Sequence, residues 1–259
     1  MTETLEVLTP DFAAGLAERV AAHNAHAATC PVDTPCERCS RYACKRCGTV
    51  VHGWEPDYLE PKARPVCDAC SRAAYEAATL RAARESLPAR FAWASFGAPE
   101  LLARCGGLHV QTARQALAAP RVVLVGQAGG GKTSLAVAML RAVIEESKRR
   151  SLTERGSCRF ASAYALNKAR GQHPLGQGEA PLVADALRAD TLVIDDLGSE
   201  LDRFGTAVGE VLYERHNEDR ATWVTTWMTP AEASTRYGGG IARRIFEDAV
   251  VIRLGKTGP

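Results

Sequence analysis

The chain has 259 residues, enough for one full hydrophobic core and a small accessory module. Its formal net charge of +2 excludes a generally basic composition, so any nucleic-acid contact has to come from local patches such as Lys148, Arg149 and Arg150. The N-terminus, MTETLEVLTPDF, is polar and acidic, and no run approaches membrane-spanning length. A cytoplasmic protein with no membrane partner is expected.

Residues 11–29 are alanine-rich with apolar spacing suited to a helix, and they lead into a cysteine-rich segment. Of nine cysteines, seven fall between Cys30 and Cys70, and six of those form the C-x-x-C pairs Cys36/Cys39, Cys44/Cys47 and Cys67/Cys70. Without a secretion signal, such pairs read as metal knuckles rather than disulfides. CKRCGTVVHGW followed by VCDAC is close to a zinc ribbon, with Cys44, Cys47, Cys67 and Cys70 as four thiolate ligands of a tetrahedral Zn²⁺. A second site is expected from His26, Cys30, Cys36 and Cys39, with His23 and His52 as alternative ligands. Cys105 and Cys158 stand alone and read as buried thiols. Arg38, Arg41, Lys45 and Arg46 lie among the knuckles and offer a secondary nucleic-acid contact.

A second helix is expected at 71–86, with Pro88 marking a boundary between an N-terminal module, 1–87, and a second domain, 88–259. The approach segment from Phe91 to Ala119 contains an expected helix at 111–118. Strand and helix pairs then begin: 121–125 with 132–147, 158–163, 191–195 with 206–216, 222–226 with 230–236, and 249–254. This alternation predicts an α/β domain with a parallel sheet flanked by helices. GQHPLGQGEAP (171–181) reads as a mobile surface loop.

The first of these pairs carries the clearest chemistry. Gly126, Gln127, Ala128, Gly129, Gly130, Gly131, Lys132 and Thr133, followed by Ser134, fit G-x-x-x-x-G-K-[ST] between a β-branched strand and a helix. Glycines let backbone N–H groups curl around phosphate oxygens, and the helix N-terminus adds partial positive charge. Lys132 is then expected on the β- and γ-phosphates of ATP, and Thr133 on Mg²⁺. DTLVIDDLGSE (190–200) supplies the acids at a strand end: Asp195 for Mg²⁺, and Asp196 where a residue polarising the attacking water is expected. Aspartate is one methylene shorter than the usual glutamate.

Together LPARFAWASF, the P-loop, TLVIDDLGSE and TTWMTPAEASTRYGGGIARRIFEDAVVIRL resemble the ATPase domain of the DnaC and IstB family of AAA+ proteins, over about residues 88–254. The resemblance implies a P-loop AAA+ fold without a C-terminal lid, and an ATPase. It further implies a helicase loader that binds a replicative helicase and single-stranded DNA. The alternatives are a DNA-binding transposition helper and a zinc adaptor with a weakly hydrolysing P-loop domain. Where the family has Thr-Thr-Asn or Thr-Ser-Asn, this chain reads Thr225, Thr226, Trp227, leaving γ-phosphate sensing to a threonine hydroxyl, assigned to Thr226. The Asp at 196 and the missing Asn point to slow hydrolysis. YGGGIARRIFE resembles the stretch carrying the family's arginine finger and gives that role to Arg244, which implies self-association into an arc or ring.

Overall fold

The computed structural model describes residues 21, 25, 40–44, 46–53, 66–147, 157–201 and 207–255, which fall into two units divided between Tyr75 and Glu76. The helix expected at 11–29 lies outside these residues except at Ala21 and Ala25, both helical, and so does the second zinc site of His26, Cys30, Cys36 and Cys39.

In the first unit β1 (Ser40–Ala43) pairs antiparallel with β2 (Val50–Gly53), Ala43 opposite Val50. Helix α1 (Asp68–Glu85) starts two residues earlier in the chain than Cys70, so the second knuckle sits on its first turn. The unit boundary falls inside this helix.

In the second unit, α2 (Pro99–Cys105) and α3 (Gly107–Gln115) precede the sheet. Gly106 separates them with φ of 79°, a conformation open to glycine, which is why the helix expected at 111–118 begins earlier and ends as a 3₁₀ turn over Ala116–Ala118. Strand β3 (Arg121–Gly126) leads through the P-loop into α4 (Lys132–Ser147). Then come β4 (Cys158–Ser162), α5 (Ala163–Gln172), α6 (Pro181–Arg188) and β5 (Thr191–Leu197). The chain continues with α7 (Ala207–Asn217), β6 (Ala221–Thr226), α8 (Pro230–Tyr237), α9 (Gly239–Phe246) and β7 (Val250–Leu254).

The sheet order is β4-β5-β6-β3-β7, with every neighbouring pair parallel. Strand residues alternate between two cores, as the pleat requires. Val122, Leu124, Val193, Trp223 and Ile252 face α2, α3 and α4. Val123, Leu192, Ile194 and Val224 face the other layer, built from α5 to α9. Both faces are therefore covered, and all strands end at one edge, where ligands of such sheets bind. Cys105 and Cys158 are buried.

Three helices depart from the sequence expectation. Helix α5 starts at once after β4, capped by the Ser162 hydroxyl accepting from Ala165 N at 3.1 Å. Helix α6 begins on Pro181, whose fixed φ suits a first turn, so the Gly/Pro-rich loop shrinks to 173–180. Helix α9 accepts two glycines in its first turn, at a cost of about 1 kcal/mol each, because burial of Ala242 and Ile245 outweighs propensity.

Candidate functional site

The P-loop lies at the carboxyl end of β3, the strand between β6 and β7. Its first glycine has no room for a side chain: a Cβ on Gly126 would stand 2.2 Å from the Leu254 carbonyl oxygen of β7. A Cβ on Gly131, where φ is 86°, would stand 2.6 Å from Cys105 Sγ. Gly129 also has positive φ, at 82°. These positions require glycine for conformation or for space, which turns the loop's backbone toward the region in front of α4. Gln127 and Ala128 are exposed, Gly130 N donates to Gln127 O at 3.2 Å, and Ser134 Oγ donates to Gly131 O at 2.9 Å.

Lys132 is buried, and its Nζ donates to the carbonyls of Gly126 at 2.8 Å and Gln127 at 3.0 Å. Burial lowers its pKa, while the charges of Asp196 and Asp195 pull the other way. An ammonium held only by loop carbonyls is poised to exchange them for phosphate oxygens.

Asp195 is buried at the end of β5. Its Oδ1 accepts from Thr225 Oγ1 at 2.7 Å, and Thr133 also hydrogen-bonds its side chain. Burial raises its pKa, which the Thr225 hydroxyl opposes and the neighbouring Asp196 charge reinforces. A desolvated carboxylate beside the first helical threonine matches the donor set that holds Mg²⁺ in P-loop proteins. Asp196 is exposed and has a left-handed backbone, φ 51°, at an irregularity in the β5–β6 register between Ile194 and Leu197. Its N–H donates to Thr225 Oγ1 at 2.9 Å.

The two threonines at the end of β6 take different places. Thr225 bridges both acids. Thr226 is buried, donating to Leu197 O at 2.9 Å and accepting from Met228 N at 3.1 Å, so its hydroxyl is engaged with backbone. Trp227 is 55% exposed at the same edge, and its Nε1 comes close to Gly198.

Sequence reasoning missed the buttress behind these acids. Glu200 is buried, accepts from Gly198 N at 3.0 Å and from Arg236 Nε at 3.1 Å, and is also hydrogen-bonded by the Tyr237 hydroxyl. Arg236 Nη2 donates to Glu200 O at 2.6 Å. The loop after β5 is thereby fixed to α8, which follows β6. Its only signal in the sequence is a charged residue in an otherwise small turn. The contact of Cys105 with the P-loop was equally hidden: Sγ donates to Gly131 O at 3.6 Å, and burial pushes the thiol up to about 11.

Arg244, on α9, is not brought to the P-loop of its own chain. Its guanidinium stacks 4.4 Å from the Tyr213 ring centroid and donates to Gly240 O at 3.1 Å. Arg243 pairs with Glu247 at 3.0 Å.

In the first unit the thiolate atoms of Cys44, Cys47, Cys67 and Cys70 all lie within 4.8 Å of one another. The Cys47 to Cys67 separation is 3.7 Å. Tetrahedral Zn²⁺ with Zn–S of about 2.3 Å requires S···S of about 3.8 Å, so the cluster fits that ion. Cys44 Sγ accepts from the N–H groups of Cys67 at 3.3 Å and Arg46 at 3.4 Å, and Cys67 Sγ accepts from Cys70 N at 3.4 Å. The Cys67 and Arg46 amides favour thiolate at Cys44, and the Cys67 amide in particular draws Cys44 down to about 6. Cys70 is pushed up to about 12 by its hydrogen bond with Cys47, since one thiol keeps its proton when several share a site. Among the described residues no helix is long and apolar enough to cross a membrane.

No protein-family model matches the sequence, and no curated protein matches it. Solved structures do. The DnaC helicase loader aligns with a TM-score of 0.52 and 23% identity, covering 64% of this chain and 99% of that one. DnaI aligns with a TM-score of 0.51 and 20% identity, covering 66% of this chain and 92% of that one. The second unit has the P-loop AAA+ fold that these DnaC-like structures share.

Proposed function

We propose, starting from a fold shared with DnaC-like AAA+ proteins, that this chain is an ATP-dependent helicase loader. The reading is supported above all by the convergence of Lys132, Thr133, Asp195 and Thr225 at the carboxyl edge of a parallel sheet, in a fold whose solved relative DnaC is a helicase loader. In this reading the backbone from Gly126 to Ser134 cradles the phosphates of ATP, and Lys132 leaves its carbonyl partners to hold the β- and γ-oxygens. Thr133 and Asp195 hold Mg²⁺, which when bound neutralises charge on those oxygens. Asp196 orients the attacking water. Thr225 is the sensing hydroxyl, in preference to Thr226, because it alone of the two touches the acids. Arg244, remote from its own P-loop, serves a neighbouring subunit in an arc or ring. The four cysteines hold one structural Zn²⁺ that stabilises a unit too small to bury much core. The first unit grips the helicase, and the assembled second units hold single-stranded DNA.

The test is ATP turnover by the full chain with single-stranded DNA and the host replicative helicase. Lys132→Ala should abolish turnover and Arg244→Ala should lower it by about 10³, and mixing the two variants should restore part of it. Retention of the helicase by immobilised wild-type chain is the second expected result. Loss of helicase retention with turnover intact would overturn the loader reading, and failure of the mixture to recover would remove the finger from Arg244. The backbone conformation of Asp196 and the exposed Trp227 favour one other reading, an adaptor that holds nucleotide without turning it over. ATP binding with no turnover under every condition would establish it.

A further inference from the structure

A tight turn joins the exposed acid Asp196 to the buried acid Glu200. Ser199 N donates to Asp196 O at 3.0 Å and closes the turn, with Gly198 at φ 103° in its third position. Asp196 itself is left-handed, at φ 51°. Aspartate accepts that conformation better than most residues, but it is still unfavourable, so the turn keeps its shape only where its neighbours hold it.

It is held at three points. Asp196 N donates to Thr225 Oγ1 at 2.9 Å. Gly198 lies against Met228, whose Cε would stand 3.0 Å from a Cβ at that position. Glu200 folds back into the turn, where its Oε2 accepts from Gly198 N at 3.0 Å, while its Oε1 accepts from Arg236 Nε at 3.1 Å and from the Tyr237 hydroxyl. All three holds come from one stretch, residues 225–237, which runs from the end of β6 through α8. The entry to α8 is fixed in turn by a capping box: Thr229 Oγ1 accepts from Glu232 N at 3.3 Å, and Thr229 N donates to Glu232 Oε2 at 2.7 Å, with Pro230 opening the helix. Arg236 is thus placed relative to the same strand that presents Thr225.

A buried ion pair adds little net stability, because desolvation offsets the attraction. The Glu200 side chain is 4% exposed against 30% for Arg236, so the carboxylate carries most of that penalty. What the pair supplies is direction, an acceptor aimed at the Gly198 N–H.

We infer that Glu200 is a positioning residue for ATP hydrolysis: held by Arg236 and Tyr237, it fixes through Gly198 the turn that aims Asp196 at the attacking water. The inference rests on the role given to Asp196 above. Misplacing a reacting group by about 1 Å can cost on the order of 10² in rate. Nucleotide binding does not pass through the turn, since Lys132 lies on the P-loop and Asp195 is held by Thr225 and Thr133.

The test uses the full chain under conditions where wild type turns over ATP. It compares steady-state kcat, affinity for a fluorescent non-hydrolysable ATP analogue with Mg²⁺, and hydrogen exchange of the Gly198 amide by NMR. Glu200→Ala should lower kcat at least tenfold and speed Gly198 exchange at least tenfold, with affinity kept within threefold. Glu200→Gln retains a carbonyl oxygen for the Gly198 N–H and should recover much of both losses. Arg236→Gln, at a partly exposed position, decides the matter if Glu200→Ala does not fold, and should give the same split with at least a threefold loss of kcat. A folded Glu200→Ala or Arg236→Gln chain with kcat within twofold of wild type overturns the proposal. So does a loss of affinity as large as the loss of kcat, which assigns Glu200 to structure alone. Absence of turnover in wild type is a different result: it removes the ATPase reading, and the inference with it, before any variant is compared.

Discussion

The Thr225 hydroxyl donates to Asp195 Oδ1 at 2.7 Å, from one parallel strand to the next. Thr225 Oγ1 in turn accepts the Asp196 N–H at 2.9 Å, so a single hydroxyl orients one acid and fixes the backbone of the other. Thr225→Val keeps the shape and removes both bonds. Nucleotide affinity should stay within about threefold, while kcat falls about tenfold or more, the effect of a lost hydrogen bond of roughly 1.5 kcal/mol to a charged group. Steady-state kinetics separate the two parameters. Thr226→Val should instead lower the melting temperature with little effect on kcat, since that hydroxyl bonds only to Leu197 O and Met228 N.

Asp195 makes an opposite demand on stability and on function. Because burial raises its pKa, ionisation is less favourable in the fold than in the unfolded chain. Its contribution to stability therefore falls as pH rises through the unfolded value of about 3.9, and the penalty is fully present at neutral pH. Asp195→Asn should melt higher than wild type at pH 7 without nucleotide, and the difference should shrink as pH is lowered toward about 4. The same variant should lose most Mg²⁺-dependent ATP affinity. Thermal melts with and without Mg-ATP measure both effects.

Metal analysis of freshly purified protein should find at least one Zn²⁺ per chain held by Cys44, Cys47, Cys67 and Cys70. Cys67→Ser should release it, and a strong chelator should unfold the first unit while leaving ATP binding by the second. Since His26, Cys30, Cys36 and Cys39 lie outside the described residues, a count near two would speak for that second set.

Arg215 is buried, and it donates to the carbonyls of Ala186 at 2.8 Å, Ala189 at 2.5 Å and Ala221 at 2.6 Å, and to Thr222 Oγ1 at 2.9 Å. It closes the C-terminal turn of α6 and ties it to the start of β6. Burial lowers its pKa to about 10, so it stays charged at neutral pH. Arg215→Met would strand several carbonyls in the core, and a loss of roughly 3–5 kcal/mol is expected by denaturant titration.

The candidate site was legible where steric constraint dictates sequence. Glycine is written into positions 126, 129 and 131 because the backbone or its neighbours admit nothing larger, and that requirement survives in any context. The alternating apolar strands were equally readable, since Val122 and Leu124 must face one core and Val123 the other. Helix α9 was not, because its opening glycines argue locally against a helix that only tertiary burial rewards. The division of labour between Thr225 and Thr226 was hidden as well. Adjacent strand residues point to opposite faces, and which face meets Asp195 depends on a register irregularity in β5.

The strand order carries a consequence for synthesis. Strand β3 emerges from the ribosome first of the five, yet its two neighbours in the sheet are β6 and β7, the last two made. The Leu254 carbonyl that walls the first P-loop glycine belongs to the final strand. A nascent chain holding residues 1–220 thus has the whole phosphate-binding motif and neither sheet partner for the strand that presents it. The loop therefore reaches its observed surroundings only once β7 has been made, and a translation product truncated before β7 carries the motif without the Leu254 wall.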